Sequence, residues 1–201
     1  MTAAAILAGG RARRLGGTPK PLLVVDGRRV IDRQLAILAP LFADLVIVAN
    51  DPAPFAGLGI EVIADRHGPA LGPLAGLDAA LGWLPAGCDS VLCVAGDMPY
   101  LASALVERLR NAPPAPAVVP RFACVPQPLC GRYHRSVASA VDAALRSGSR
   151  GFAMHAFLER LPGVVWLDEP ELRRLDPDLR TFTNLNTPAD LAACAGQPRP
   201  R

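Results

Sequence analysis

Short apolar runs alternate along the first half of the chain with longer stretches in which apolar residues recur at helical spacing. The runs cover residues 3–7, 45–49, 60–64 and 90–95. They show no regular alternation with polar positions, so they read as strands buried on both faces, as in a parallel sheet. Between them lie helical patterns. In 30–41 the residues Val30, Ile31, Leu35, Ile37, Leu38 and Leu41 share one side, while Asp32, Arg33 and Gln34 fall on another face and Pro40 frays the end. Gly72 and Pro73 open a second helix that runs through Leu77, Leu81 and Leu84, and a third covers 102–111. Three strand-then-helix units in succession predict a doubly wound, Rossmann-like α/β fold, with a mostly parallel sheet and helices on both faces.

The second half is less regular. Prolines confine the strand in PPAPAVVPRF to 117–119, and 128–133 and 164–167 read as two further strands. Helices are expected over 137–145 and 152–161. The charged, proline-interrupted segment 168–180 reads as a surface loop with one short turn of helix. Thr187, Pro188 and Asp190 occupy the N-cap, N1 and N3 positions of a last helix. Early in the chain, 21–25 is an extended piece closed by the turn Asp26-Gly27. One domain is expected over 1–195, followed by a disordered tail, 196–201.

Composition narrows the function. The net charge of +3 on 201 residues is too small and too dispersed for a nucleic-acid surface. No apolar run approaches the roughly 20 residues that span a bilayer, and no secretory leader is evident, so a cytoplasmic protein without membrane contact is expected. The five cysteines have no CxxC spacing and the three histidines are far apart, which argues against structural zinc and a disulfide framework.

Polar residues gather where the expected strands end, the side on which open α/β sheets bind ligands. The first strand ends in Gly9 and Gly10, followed by Arg11, Arg13, Arg14 and Lys20. Glycines let an anion approach backbone N–H groups, and the cations suit a polyphosphate. The segment matches neither GxGxxG nor GxxxxGK[ST], so it forms a different cradle or only a tight turn with a basic rim. Asn50, Asp65 and Asp97 end later strands, and Asn184 and Asn186 precede the last helix. Such a set suits a nucleoside triphosphate with Mg²⁺ on Asp97, and with Asn50 and Asp65 reading base or ribose. Each residue also has a plainer use: Asp97 as a turn residue, Asp65 as the partner of Arg66, Asn50 in an Asn-Asp-Pro turn, and Asn184 and Asn186 as loop organisers.

The segments LAGGRARRLGGTPK, GPLAGL, GDMP, QPLCGRY and TFTNLNTPADL, in that order and spacing, resemble the molybdenum cofactor guanylyltransferases, MobA-type members of the nucleotidyltransferase superfamily. The resemblance spans nearly the whole chain. It implies GTP wrapped by Leu7, Ala8, Gly9 and Gly10, with Gly72 and Pro73 alongside. It also implies Lys20 on the phosphates, whose developing charge Arg14 suits as a second catalytic cation, Asn50 and Asp65 in nucleotide recognition, Asp97 as Mg²⁺ ligand, and Asn184 and Asn186 near the pterin or assisting the metal. The implied reaction moves GMP from GTP to the terminal phosphate of molybdenum-molybdopterin, with a molybdopterin-donor protein and apo-molybdoenzymes as further candidate partners. Ala12 departs from the signature, which usually carries serine there, and 113–132 matches loosely. Two rivals stand beside this expectation: a cytidylyltransferase or other nucleotidyltransferase of the same fold, and a nucleotide-binding delivery partner without turnover.

Overall fold

A computed structural model describes residues 1–9, 18–67, 72–147 and 154–195. In chain order its elements are β1 (Thr2–Leu7), β2 (Val24–Val25), β3 (Arg28–Arg29), α1 (Val30–Leu38), β4 (Leu45–Val48), β5 (Glu61–Ile63), α2 (Pro73–Trp83), β6 (Ser90–Ala95) and α3 (Ser103–Arg110). There follow β7 (Ala117–Phe122), β8 (Val125–Pro126), β9 (Cys130–His134), α4 (Ala138–Arg146), α5 (Met154–Arg160), β10 (Val164–Asp168), α6 (Glu169–Leu175) and α7 (Pro188–Ala195).

The main sheet has the order β10-β7-β9-β6-β1-β4-β5, with β8 paired to β7. Strands β6, β1, β4 and β5 are mutually parallel, as are β7 and β10; β9 runs antiparallel between β6 and β7. The chain builds outward from β1 through β4 to β5, then returns to place β6 on the other flank of β1. That reversal opens a crevice at the carboxyl ends of the strands.

Burial explains the unbroken apolar runs. Ala4 and Ile6 of β1, Ile47 of β4, and Leu92 and Val94 of β6 pack on one face with Ile31 and Leu38 of α1, Leu105 and Leu109 of α3, and Leu172 of α6. Their neighbours Ala5, Leu7, Val46, Val91 and Cys93 face the opposite core, with α2, α4 and α5. Successive residues point to opposite faces and both faces are covered, so each position must be apolar. A smaller cluster, Val25, Val30, Leu185 and Cys194, seats α7 against the β2–β3 hairpin.

Four expectations need correction. The piece 21–25 begins as a 3-10 turn, Lys20–Leu22, and only Val24–Val25 is strand. Strand β7 runs on through Pro120 to Phe122, because Pro120 falls in the gap between pairing to β9 at Ala117–Val118 and pairing to β8 at Arg121–Phe122. Segment 168–180 contains a seven-residue helix, α6, whose Pro170 sits in the first turn, where its missing N–H costs nothing. Glu169 and Glu171 at its start, with Arg173 and Arg174 at its end, complement its dipole. The fourth is Gln34, expected on a polar face and found fully buried. The expected tail, 196–201, lies outside the described residues.

Four of the five cysteines are buried and all are free. Burial pushes the Cys130 thiol up to about 12 and that of Cys93 higher still, so both behave as small hydrophobes. Among the described residues no helix is long and apolar enough to cross a membrane.

Candidate active site

Four parallel strands end on one side of the sheet and deliver the polar residues. A cleft of about 330 Å³ there is lined by Leu7, Ala8 and Gly9 after β1, Asn50 after β4, Asp65 after β5, and Gly96 and Asp97 after β6. Lys20 and Pro21 close one side, with Gly72 and Pro73 at the start of α2 on another.

Asp97 lies in the turn Ala95–Met98 that ends β6. The backbone N–H of Gly96 donates to the Leu7 carbonyl at 3.0 Å, and the carbonyl of Asp97 accepts from the N–H of Leu185 at 3.1 Å. A Cβ on Gly96 would stand 2.6 Å from Pro21 Cγ, so only glycine lets the Lys20–Leu22 turn close on Asp97. Lys20 Nζ then donates to Asp97 Oδ2 at 2.8 Å and to Asn186 Oδ1 at 2.7 Å. The Lys20 and Asp97 side chains are 25% and 18% exposed, sheltered enough for their attraction to exceed that of a surface pair.

Asn186 is held by the start of α7. Asp190 Oδ2 accepts from the N–H of Asn186 at 2.8 Å and of Thr187 at 2.7 Å, while the N–H of Asp190 donates to Thr187 Oγ1 at 3.2 Å. This is a reciprocal cap with aspartate in the third position. The N–H donors of Asn186 and Thr187, helped by Thr187 Oγ1 and the nearby Lys20 charge, hold the Asp190 carboxyl below the ordinary carboxylate range.

The other end of the cleft is built differently. Asn50 Nδ2 donates to Asp65 Oδ2 at 2.7 Å, and the backbone N–H of Asp65 donates to Asn50 Oδ1 at 3.1 Å. Asp65 Oδ1 is buried and has no partner among the described residues. A buried carboxylate oxygen left open is costly, and a ligand N–H donor would satisfy it. Gly72, at φ 71° and ψ −160°, adopts a backbone conformation almost confined to glycine and opens the N-terminus of α2 onto the cleft.

Lys20 places a cation between two hard oxygen donors, Asp97 Oδ2 and Asn186 Oδ1. That donor set fits a divalent ion of the Mg²⁺ type, which takes one or two protein oxygens and fills its shell with phosphate and water. Among the described residues no group of three or more His, Cys, Asp or Glu gathers as a metal cage.

Of the residues singled out in the sequence, Leu7, Ala8, Gly9, Lys20, Asn50, Asp65, Gly72, Pro73 and Asp97 all line this cleft, and Asn186 joins it through Lys20. The Asn184 side chain makes no hydrogen bond among the described residues. Gly10 and Arg14 lie outside them. Sequence reasoning missed Pro21, which wedges against Gly96, and Leu129, whose carbonyl accepts from the N–H of Ala95 at 2.7 Å. Their signals were the proline beside Lys20 and the leucine inside QPLCGRY.

A parallel sheet with its cleft at the switch point, flanked by a lysine–carboxylate pair and a helix N-terminus, defines a nucleotidyltransferase of the α/β class. The chain belongs to the family of the MobA-like NTP transferase domain, whose model matches residues 4–164. It is 36% identical over 192 residues to a molybdenum cofactor guanylyltransferase of Cereibacter sphaeroides, covering 93% of this chain and 92% of that one. A solved structure described as molybdopterin-guanine dinucleotide biosynthesis protein A from Archaeoglobus fulgidus superposes with a TM-score of 0.80 at 31% identity, covering 97% of each chain. A 4-diphosphocytidyl-2C-methyl-D-erythritol synthase from Anaerococcus prevotii shares the fold alone, with a TM-score of 0.71 at 14% identity over 97% of this chain and 94% of that one. The family is consistent with a divalent metal.

Proposed function

We propose that the protein transfers GMP from GTP to the terminal phosphate of molybdenum-molybdopterin, yielding the guanine dinucleotide form of the cofactor and pyrophosphate. The carrying observation is that one cleft holds the Lys20–Asp97–Asn186 network at one end and the open acceptor Asp65 Oδ1 at the other. The relatives named for this reaction match over more than nine-tenths of the chain.

In this reading Asp65 accepts from the N–H edge of guanine while Asn50 holds its other oxygen in place. The glycine loop Leu7–Gly10 and the N-terminus of α2 at Gly72 and Pro73 receive the nucleotide and its phosphates. Lys20, joined by Arg14, neutralises charge on the triphosphate as the bond to the leaving pyrophosphate lengthens. An oxygen of the pterin's terminal phosphate attacks the α-phosphorus, the bond to the bridging oxygen breaks, and pyrophosphate carries the electron pair away. No covalent enzyme intermediate is needed, so alignment and charge neutralisation carry the catalysis. A Mg²⁺ ion held by Asp97, with Asn186 beside it, would supply Lewis-acid stabilisation of the phosphate oxygens. Asn184 and Asn186 face the pterin substrate. We place the reaction in one domain spanning 1–195, in the cytoplasm, with a molybdopterin-donor protein and apo-molybdoenzymes as upstream and downstream partners.

The test is stoichiometry. Purified protein given GTP, Mg²⁺ and molybdenum-loaded molybdopterin should release one pyrophosphate per dinucleotide formed. GTP binding without pyrophosphate under those conditions would instead describe a delivery partner.

A further inference from the structure

Gln34 sits within α1 on the face turned to the sheet, and none of it reaches solvent. Its Nε2 donates to the Ala95 carbonyl at 2.7 Å and to the Met98 carbonyl at 3.1 Å. Those are the first and last residues of the turn whose two central positions are Gly96 and Asp97. The turn's own closing contact, from the N–H of Met98 to the Ala95 carbonyl, is long at 3.4 Å. One buried amide therefore staples both ends of the turn that presents Asp97. The preceding residue of the same helix, Arg33, donates through Nε to the Pro99 carbonyl at 2.8 Å and continues the staple by one residue.

A purely structural role explains this poorly. Gln34 Oε1 is buried with no partner among the described residues, a destabilising arrangement. Methionine or leucine would fill the same space beside Ile31 and Leu38 without leaving that acceptor orphaned. Neither can donate to two carbonyls. Elsewhere among the described residues the turn is pinned through the Ala95 N–H on the Leu129 carbonyl at 2.7 Å, the Gly96 N–H and the Asp97 carbonyl, which leaves the Met98 end and the Ala95 carbonyl to Gln34.

We infer that Gln34 is a positioning residue for Asp97, holding the turn so that the carboxylate meets a cation at the depth where Lys20 Nζ now meets it. The inference rests on the proposed reading of Asp97 as the ligand of the catalytic divalent ion. Residues that orient a metal ligand from behind typically alter metal affinity by about 10- to 100-fold when replaced.

The experiment compares the full-length wild type with Gln34→Met, Gln34→Asn, Asp97→Asn and, as a destabilised control in the opposite core, Val141→Ala. Binding of Mn²⁺ in the presence of GTP is read by electron paramagnetic resonance, beside thermal melting and the Mg²⁺ dependence of turnover. Gln34→Met should weaken Mn²⁺ binding about 10-fold and raise the Mg²⁺ needed for half-maximal turnover by a similar factor. At saturating Mg²⁺ its KM for GTP should stay within about two-fold of wild type, because the base end of the cleft is untouched. Gln34→Asn keeps the amide but is one methylene too short to reach both carbonyls, and it should fall between the two. Val141→Ala should lower the melting temperature and leave Mn²⁺ binding unchanged. Wild-type Mn²⁺ affinity in both Gln34 variants, with Asp97→Asn impaired, overturns the positioning role. Wild-type affinity in Asp97→Asn overturns the metal reading beneath it.

Discussion

The two ends of the cleft are polar in opposite ways. Around Asp97 the groups are tied into one network: one carboxylate oxygen and the Asn186 carbonyl oxygen share the Lys20 ammonium, and the backbone of the turn is tied to Leu7 and Leu185. Around Asp65 one oxygen is held by Asn50, and the other is buried and left open among the described residues. On the proposed reading the networked end would exchange partners to act, with Lys20 turning towards phosphate where Asp97 would hold a divalent metal. The open end needs only a ligand donor. On that reading, tuning the first end should change turnover and tuning the second should change which nucleotide binds.

Variants at the two ends should therefore fail differently. The largest loss is expected from Asp97→Ala, about 10³-fold or more in kcat, on the order of 4 kcal/mol, at any GTP concentration. A near wild-type kcat there would break the distinction outright. Lys20→Ala should lower kcat by about 10²-fold, and the double variant Lys20→Ala with Asp97→Ala should lose far less than the product of the two, because both act in one network. Additive losses measured by steady-state kinetics would separate the pair. Asp65→Asn keeps an oxygen for Asn50 but removes the buried charge, so KM for GTP should rise about 10- to 100-fold with kcat nearly kept. A pure kcat defect would contradict its assignment to recognition.

The smallest effect concerns Asp190. Its carboxyl is held below the ordinary range, so the folded cap favours the ionised form. The cap's contribution is complete above the ordinary carboxylate pKa of about 3.9 and is lost as pH falls through the depressed value. Asp190→Asn should cost a few-fold in kcat/KM near neutrality and flatten the acid limb of the melting-temperature profile. An unchanged acid limb would show that the cap does not order Asn186.

Much of this was legible in the sequence because parallel strands must be apolar on both faces, which made the strands at 45–49 and 90–95 stand out. Their polar terminators then gave Asn50 and Asp97 directly. Capping chemistry likewise marked Thr187 and Asp190 before any geometry was known. What stayed hidden was set by tertiary contact. Pro120 and Pro170 look like interruptions until their places in a pairing gap and a first helical turn are seen. Gln34 shares its helix with Asp32 and Arg33 and only the packed structure buries it. The pairing of Lys20 with Asn186 joins residues 166 positions apart, beyond any local pattern.

Base choice tests the central claim most directly, since the shared fold also serves enzymes named for cytidyl transfer. Pyrophosphate release with molybdenum-molybdopterin and Mg²⁺ should be compared for GTP, ATP, CTP and UTP. We expect kcat/KM for GTP to exceed that for CTP by about 10²-fold or more, set by the adjacent N1–H and exocyclic amine donors that guanine, alone of the four bases, presents side by side to Asp65. Equal or faster turnover with CTP would contradict it.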